Sequence, residues 1–349
     1  MQHDGIIGWD LGGAHTKAAL INTQGQVDSV MQIACPLWQG LQYLESSIDK
    51  VVGQFGEISR FRHAVTMTGE LVDLFPDRAT GVSALIDTMS QRFPRSDLAI
   101  FGGDNEFLDS QQGKLSALQV ASANWLATGT WVANRLPEGL LIDVGSTTTD
   151  LIPFADRQVL IKQGSDHHRL VEQTLVYTGI VRTPLMAITA KVPFAGEWVD
   201  LMAEYFATTA DIYRITGDLP EGADLLPSAD NGAKNREASE RRLARMLGLD
   251  ADASNQAGWK KVSDYLAEQQ LRQIQDACER LLSKPSLSSN APLVGAGVGR
   301  FLIKTICRRL NRPYLGIESL FPCDEQIAIK VAECAPAVAV ASLALEAGK

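Results

Sequence analysis

The sequence predicts an α/β protein whose two halves share one plan, and a repeated hairpin leads to this prediction. A strand, a turn with an Asp-x-Gly pattern and a second strand occupy residues 6–21, and the same succession returns at residues 140–152. A chain of 349 residues is also long enough for two domains that each bury a core. We therefore expect a first domain over residues 1–135 and a second over residues 136–349.

The first half is predicted to contain three strands followed by alternating helices and strands. Apolar residues from about residue 41 recur with the spacing of a buried helix face, whereas the shorter segments have the apolar runs typical of strands. The predicted elements are strands at 6–9, 17–21 and 27–33, a helix from about 41, a strand at 62–66, a helix over 81–93, a strand at 98–101 and a helix over 118–134. Their order is β-β-β-α-β-α-β-α.

The second half begins in the same way and is then interrupted by a helical insertion over about residues 195–290. Its opening strands are predicted at 140–144, 147–154 and 158–162, with a helix near 169. Within the insertion, helical spacing is found over 197–216, 238–249 and 262–282, and a Gly- and Pro-rich loop is expected at 217–235. After it we expect a strand at 292–294, a helix ending near 310, a strand at 314–315 and a helix over 324–346. Whether this last helix returns to the first domain is left open.

Composition and charge indicate which kinds of molecule this protein is expected to bind. The formal net charge of −9 argues against a general nucleic-acid or anionic-membrane surface, and no run of about 18 apolar residues is present to span a bilayer. The five cysteines are scattered and contain no C-x-x-C pair, so we expect reduced thiols in a cytoplasmic protein. The polar N-terminus does not have the pattern of a signal peptide. The net charge says little against an anionic small-molecule substrate, such as a diphosphate or a nucleotide, because a local loop and a metal can override it. The oligomeric state stays open.

The first hairpin has the residue types of a phosphate site. Asp10 ends its first strand, Gly12 and Gly13 form the turn, and Thr16 and Lys17 begin the second strand. Backbone N–H groups of such a turn can converge on an anion, and a neighbouring carboxylate can hold Mg²⁺ together with substrate phosphates. Lysine at this position would neutralise phosphate charge. The alternative is an ordinary hairpin with a surface aspartate and an exposed lysine.

The second hairpin makes the phosphate interpretation stronger because it repeats the pattern. Asp143 corresponds to Asp10, Gly145 to Gly12, Ser146 to Gly13 and Thr149 to Thr16. Two such hairpins facing each other would hold a polyphosphate from both sides, and the sequence therefore predicts one site shared by both halves.

A third glycine-rich turn follows the strand at 292–294. Gly295, Gly297 and Gly299 precede a helix, but the dinucleotide-binding fingerprint would require a glycine where Arg300 stands. We interpret the turn as a place for a nucleotide or other ligand, with close packing of strand against helix as the alternative.

Isolated polar residues add further candidates. Glu70 and Asp104 each follow a strand at a glycine-containing turn, at the sheet edge where α/β proteins bind ligands, so either is a candidate general base or metal ligand. The alternative is that both acids stabilise turns. Asp166 is expected to cap the helix near 169. Arg182 lies in a turn and is suited to bidentate contacts with an anion, or is exposed to solvent.

These features together resemble the actin, sugar kinase and Hsp70 ATPase superfamily, which is built from duplicated ribonuclease H-like domains. The resemblance implies a magnesium ion near Asp10 and Asp143, and it makes ATP a second candidate ligand. It also implies two phosphate loops and a nucleoside-binding turn, formed respectively by Asp10, Gly12, Gly13, Thr16 and Lys17, by Asp143, Gly145, Ser146, Thr147 and Thr148, and by Gly295, Gly297 and Gly299.

More narrowly, the chain resembles the hydantoinase A/oxoprolinase-like proteins linked to tetrahydromethanopterin-dependent C1 metabolism. The resemblance extends over most of the chain, in the stretches 10–17, 67–71, 123–125, 143–150, 177–184 and 205–211. Members of this group are similar to a synthase of methanofuran biosynthesis that joins a furan-methyl diphosphate to the phenol of γ-glutamyltyramine and releases pyrophosphate.

This resemblance implies a transferase in which Asp10, Asp143, Glu70 and Lys17 are catalytic. Glu70 would take the phenol proton, and a magnesium ion would stabilise the departing diphosphate. Contacts with the substrate are expected from Thr68, Gly69, Asn124 and Arg182. Two other classes stay open, namely an ATP-dependent small-molecule kinase or amide hydrolase, and a non-catalytic actin-like module that binds nucleotide.

Overall fold

The computed structural model describes residues 3–56, 60–93, 98–103, 106–161 and 164–348. These residues form a mixed α/β protein with two larger sheets and one two-stranded sheet. Asp104, a candidate acid in the sequence, lies outside the described residues.

The first half contains a sheet with strand order β3-β2-β1-β4-β5-β6, flanked by helices. β1 pairs antiparallel with β2 and parallel with β4, so the first strand of the hairpin lies inside the sheet. Its strands and helices are β1 Gly5–Leu11, β2 His15–Asn22, β3 Val27–Ala34, α1 Gln42–Phe55, β4 Arg62–Met67, α2 Arg78–Arg92, β5 Leu98–Phe101, β6 Phe107–Leu108, α3 Ser110–Leu115, α4 Ala117–Val120 and α5 Asn124–Ala133.

The second half contains a sheet with strand order β10-β8-β7-β13-β14, to which β9 adds by pairing with β8. Here β7 pairs antiparallel with β8 and parallel with β13. The strands and helices are β7 Glu138–Val144, β8 Thr149–Ala155, β9 Gln158–Val159, α6 Asp166–Val171, β10 Leu175–Val176, β11 Lys191–Phe194, β12 Glu197–Asp200, α7 Thr209–Thr216, α8 Arg236–Met246, α9 Gln256–Leu282, β13 Leu293–Ala296, α10 Arg300–Leu310, β14 Tyr314–Gly316, α11 Glu325–Glu333 and α12 Ala335–Ala347.

The last helix of the chain, α12, packs on the first sheet. It is apolar along its whole length and buries its residues from Ala335 to Ala344. Gly8 in the middle of β1 makes this packing possible, because a Cβ atom there would lie 2.0 Å from the Ala337 carbonyl oxygen. The apolar core around α12 includes residues from both larger sheets, among them Ile6, Leu141 and Val294. The helix therefore packs on the first hairpin and belongs to an apolar core that both sheets share.

Three predicted helices differ from the structure. The segment 197–216 is not one helix, because Ala195 and Gly196 both have positive φ and turn the chain into the β11–β12 hairpin before α7 begins. The segment 118–134 is divided between α4 and α5, and Ser122 between them has a φ of 52°. The C-terminal segment 324–346 forms two helices, α11 and α12, with a bend of 101°.

No single helix in the described ranges is long and apolar enough to cross a membrane. Only α11 and α12 taken together meet the criteria of length and composition, despite their bend.

The contact between β1 and α12 predicts that two glycine substitutions change the free energy of unfolding very differently. Gly8→Ala should lower the free energy of unfolding by about 1–3 kcal/mol, because the added methyl group forces α12 away from β1. Gly53→Ala is the matched control, since Gly53 is exposed in α1 and an added Cβ meets nothing within 4 Å. It should raise stability by up to about 1 kcal/mol. Urea unfolding of both variants measures this, and equal effects would contradict the packing described for α12.

Candidate active site

The turn of the first hairpin presents free backbone N–H groups. The Gly12 N–H closes the turn by donating to the His15 carbonyl at 3.0 Å, and the Gly13 carbonyl accepts from the Leu37 N–H at 3.0 Å. In the described part of the chain, the N–H groups of Gly13 and Ala14 donate to no protein acceptor. With its carbonyl bound from behind, this turn has the form of an anion-binding concavity.

The turn of the second hairpin has the same arrangement. The Gly145 N–H donates to the Thr148 carbonyl at 2.9 Å, and the Ser146 carbonyl accepts from the N–H groups of Val181 and Arg182 at 3.1 and 2.9 Å. The N–H groups of residues 146–148 donate to no protein acceptor within the described ranges. Both turns therefore offer donors to an anion.

A glycine supports each turn from behind. A Cβ atom on Gly69 would lie 2.8 Å from the Leu37 side chain and 3.0 Å from the Leu11 carbonyl, directly beneath the first turn. A Cβ atom on Gly179 would lie 2.5 Å from backbone atoms of the second turn. Only glycine allows the backbone to approach this closely, so the two turns are held in place by direct backbone packing.

Both turns line one cleft of about 460 Å³. The structure places twelve of the predicted site residues on the wall of this cleft. They are Asp10, Gly12, Gly13, Lys17, Thr68, Asn124, Asp143, Gly145, Ser146, Thr147, Thr148 and Arg182. The cleft thus receives residues from both halves of the chain.

A group of charges from both hairpins lies at the floor of the cleft. Asp10 is opposite Lys17 in the β1–β2 pairing, and Asp143 is opposite Asp150 in the β7–β8 pairing. Burial raises the pKa of the Asp143 carboxyl to about 7, with Lys17 opposing this and Asp150 and Asp10 adding to it. Burial likewise raises the pKa of Asp10, against the effects of Lys17 and Asn124. Burial of Lys17 alone would lower its pKa, but the Asp10 and Asp143 carboxylates raise it.

The Asp150 carboxylate forms an ion pair with a buried arginine. Arg169 donates to the Asp150 carboxylate at 2.7 Å and to the Thr174 carbonyl at 2.7 Å. Its guanidinium carbon lies 4.2 Å from the ring centroid of Trp125. Arg169 is therefore fixed by an ion pair, a hydrogen bond and a cation–π contact.

His15 also faces the cleft. Burial, together with the nearby Lys17 and Arg182 cations, lowers the pKa of its imidazole to about 3. Its Nε2 atom is buried and has no hydrogen-bond partner among the described residues. His15 is thus a neutral imidazole beside the first turn.

Some predicted site residues do not line the cleft. The Thr16 hydroxyl is buried and shares a hydrogen bond of 2.8 Å with Ser47, so it stabilises the hairpin from inside. Gly69 supports the first turn from behind. Glu70 is buried, and one of its oxygens accepts from the Ser122 hydroxyl at 2.8 Å while the other has no protein partner. Burial raises the pKa of Glu70.

The third glycine turn is closely packed in the structure. The N–H groups of Gly297 and Gly299 donate to the carbonyls of Ala332 and Val144 at 2.9 and 2.8 Å. A Cβ on Gly297 would lie 2.3 Å from an Asp143 oxygen, so Gly297 gives Asp143 its room. Gly295 lies against the Tyr314 ring. These contacts match the packing interpretation, and nucleoside binding at this turn stays a prediction.

Asp166 is not the helix cap that the sequence suggests. Ser165 caps α6, and the Asp166 carboxylate pairs with Arg78 of the first half at 3.0 Å. Its Oδ2 atom also accepts from the Ser122 hydroxyl at 3.4 Å, and both Ser122 and Asp166 line the cleft. Ser122 therefore lies between Asp166 and the buried Glu70.

Sequence reasoning missed several polar and aromatic residues of the cleft, among them His15, Trp38, Ser122, Asp150, Asp166, Arg169 and Tyr177. Local signals were available for two of them. Asp150 occupies in the second hairpin the register position that Lys17 has in the first, and His15 lies two positions from Lys17 on the same face of β2. The others reach the cleft through tertiary contacts.

The carboxylates of the cleft suit a hard cation that a bound ligand also coordinates. Among the described residues, too few of them lie together to hold a metal ion by themselves. No group of three or more potential metal ligands among His, Cys, Asp and Glu occurs in the described ranges. Asp10 has a buried oxygen with no hydrogen-bond partner, and Asp143 interacts electrostatically with it. Magnesium usually binds through one or two carboxylates together with substrate phosphates and water. Asp10 and Asp143 fit this kind of site.

Replacing Asp143 by asparagine should change how stability depends on pH. Because its pKa is raised from 3.8 to about 7, Asp143 favours the folded state at low pH and loses that contribution as pH rises from about 4 to about 7. In metal-free buffer, the free energy of unfolding of Asp143→Asn relative to wild type should therefore increase by about 1–3 kcal/mol between pH 5 and pH 8. Urea unfolding at both pH values measures the change. A constant difference would contradict the raised pKa.

Comparison with known proteins identifies a relative that covers nearly the whole chain. This chain is 30% identical over 339 residues, 97% of each chain, to the (4-{4-[2-(γ-L-glutamylamino)ethyl]phenoxymethyl}furan-2-yl)methanamine synthase of Methanocaldococcus jannaschii.

One solved structure shows the fold. A nucleotide-free acetone carboxylase, studied for ATP-dependent acetone carboxylation, superposes with a TM-score of 0.56 at 9% identity, covering 98% of this chain and 70% of that one. A ROK family glucokinase from Streptomyces griseus in complex with glucose and AMPPNP has a TM-score of 0.48 at 12% identity, covering 97% and 98% of the two chains.

The profile of the hydantoinase/oxoprolinase family matches residues 62–346, which include the second hairpin, the third glycine turn and most of the cleft. Together with the full-length relative, this match shows that the chain belongs to the hydantoinase/oxoprolinase family.

Proposed function

We propose that this protein is a transferase that forms an aryl ether in the biosynthesis of a methanofuran-type cofactor, within tetrahydromethanopterin-linked C1 metabolism. The phenol oxygen of a tyramine derivative attacks the methylene carbon of a furan-methyl diphosphate, and the bond from that carbon to the diphosphate oxygen breaks. Pyrophosphate leaves with the bonding electrons, and the phenol proton passes to a base. The product named for the M. jannaschii relative contains this phenoxymethyl-furan linkage.

One observation carries the proposal, which is that two turns with free N–H groups face a single cleft. Gly13 and Ala14 supply donors from one side, and residues 146–148 supply them from the other. Donors aimed at a leaving group stabilise the negative charge that develops on it, and this is often the largest single contribution to catalysis. The Lys17 ammonium adds a positive charge at the same place.

Magnesium would be held by Asp10 and Asp143, and when bound it would supply charge neutralisation to the departing diphosphate. Asn124 stabilises the ionised form of Asp10, which favours this role. Thr68 lies on the wall beside the first turn, its N–H bound to the Leu11 carbonyl at 3.0 Å, and is placed to contact the substrate.

Glu70 is our proposed acceptor of the phenol proton, by way of Ser122. The Ser122 hydroxyl lines the cleft and hydrogen-bonds one Glu70 oxygen, so a proton taken at the cleft wall can be passed to the buried carboxylate. The raised pKa of Glu70 makes the carboxylate a stronger base than an exposed glutamate. The Asp166 carboxylate also contacts the Ser122 hydroxyl, at 3.4 Å, and is the second candidate acceptor of this proton.

The finer architecture belongs to the same proposal. We assign duplicated ribonuclease H-like domains to residues 1–135 and 136–349, with an insertion over about 195–290. The strand orders support this assignment, since β1 and β7 each lie between an antiparallel hairpin partner and a parallel strand. The ether-forming reaction consumes no ATP, so in this proposal the turn formed by Gly295, Gly297 and Gly299 holds substrate in place of adenosine.

Phosphorus NMR on the purified protein with Mg²⁺ tests the reaction. One sample contains the furan-methyl diphosphate and γ-glutamyltyramine, and a parallel sample contains ATP and γ-glutamyltyramine. We expect pyrophosphate in the first sample, an ether product by mass spectrometry and no change in the second. ADP or inorganic phosphate in the second sample alone would instead indicate an ATP-dependent kinase or amide hydrolase. Silence in both would favour a nucleotide-binding module without catalysis.

The two floor carboxylates should each be needed for turnover. Asp10→Asn and Asp143→Asn should each lower kcat by about 100-fold or more, because each removes one candidate magnesium ligand and its charge. Asp250→Asn, at an exposed position away from the cleft, is the control and should keep wild-type activity. Initial rates of pyrophosphate release measure the effect, and full activity in either floor variant would rule out the two-hairpin site.

A further inference from the structure

The rim of the cleft contains a cation that forms no ion pair with the described residues. Among the cations of the cleft wall, Lys17 interacts with Asp10 and Asp143, and Arg169 pairs with Asp150. Arg182 is half-buried, and its guanidinium forms no salt bridge or side-chain hydrogen bond with the described residues. A half-buried arginine without an acidic partner is a ready binding position for an anionic ligand group.

Arg182 is held in a defined position. Its backbone N–H donates to the Ser146 carbonyl of the second turn at 2.9 Å, and its guanidinium carbon lies 5.0 Å from the ring centroid of Trp38. Trp38 follows Leu37, whose N–H is bound to the Gly13 carbonyl of the first turn. The Trp38–Arg182 pair therefore joins the two turns across the rim, with one residue from each half.

The geometry favours a planar carboxylate over a second phosphate contact. The Trp38 ring lies beside the guanidinium, whose N–H groups donate to no side chain among the described residues and form a fork that matches a carboxylate. In the proposed function, the N–H groups of both turns and the Lys17 ammonium already bind the diphosphate. Tyr177, which lines the same cleft and is 67% exposed, adds an aromatic surface at the rim.

We infer that Trp38 and Arg182 form the subsite for the acceptor, with Arg182 binding its terminal carboxylate and Trp38 its aromatic or alkyl body. The inference rests on the proposed function, in which the acceptor is a phenol-bearing amine acylated by an amino acid that keeps its carboxylate. The γ-glutamylaminoethyl group in the product of the relative has this chemistry. Arg182 is then the residue that distinguishes γ-glutamyltyramine from tyramine.

Steady-state kinetics with the two acceptors test the inference. Arg182→Gln should raise the KM for γ-glutamyltyramine by about 10- to 100-fold, because a charge-assisted bidentate contact is lost. It should leave the KM for tyramine and for the furan-methyl diphosphate within about twofold of wild type. Arg182→Lys keeps the charge without the fork and should be intermediate. Trp38→Leu should raise the KM for both acceptors, and Arg241→Gln on the exposed face of α8 is the control.

The outcomes separate this inference from the proposed function. A raised KM for the diphosphate in Arg182→Gln, or an equal effect on both acceptors, would overturn the subsite. If the wild-type protein releases no pyrophosphate, calorimetric titration with γ-glutamyltyramine alone tests whether Arg182 binds the acceptor. Binding that weakens at least tenfold in Arg182→Gln would uphold the subsite although the reaction fails, and equal or absent binding would overturn it.

Discussion

The interaction on which the site depends is the sharing of one lysine between two hairpins. Lys17 belongs to the first hairpin, yet its charge is stabilised by Asp10 from the same hairpin and by Asp143 from the other. Burial of these carboxylates is unfavourable without a nearby cation, and Lys17 alone does not fully compensate, since the pKa values of both acids stay raised. The floor of the cleft therefore has a surplus of carboxylate that a bound cation would stabilise.

Backbone packing brings these charges together. Gly8 lets α12 lie on β1, Gly69 and Gly179 support the two turns from behind, and Gly297 leaves room for Asp143. At each of these positions a side chain would occupy the space of another backbone or of a carboxylate. The turn carbonyls accept hydrogen bonds from other parts of the protein, whereas the N–H groups of these cleft-lining turns donate to no acceptor within the described ranges. The same close contacts that stabilise the fold thus determine the chemistry of the turns.

The cleft divides into a polar floor and a more aromatic rim. The floor consists of Asp10, Lys17 and Asp143 together with the two turns, and the rim consists of Trp38, Arg182 and Tyr177, of which Tyr177 is 67% exposed. In the function proposed above, the two turns bind the diphosphate and the residues of the rim select the acceptor. His15 lies between these regions as a neutral imidazole, and its low pKa makes it a hydrogen-bonding group instead of a base.

The sequence by itself predicted the local structure and the parts of the site that repeat. Both hairpins, the placement of Asp10 and Asp143 at strand ends and most helix positions follow from periodicity and turn residues, which are local properties. The helix expected over 197–216 was wrong, because the left-handed Ala195 and Gly196 turn overrides the apolar spacing of the residues that follow. Tertiary structure alone decided that Glu70 is buried against Ser122 and that Trp38, Asp166 and Arg169 reach the cleft. These positions depend on contacts between residues far apart in the chain, for which no local pattern exists.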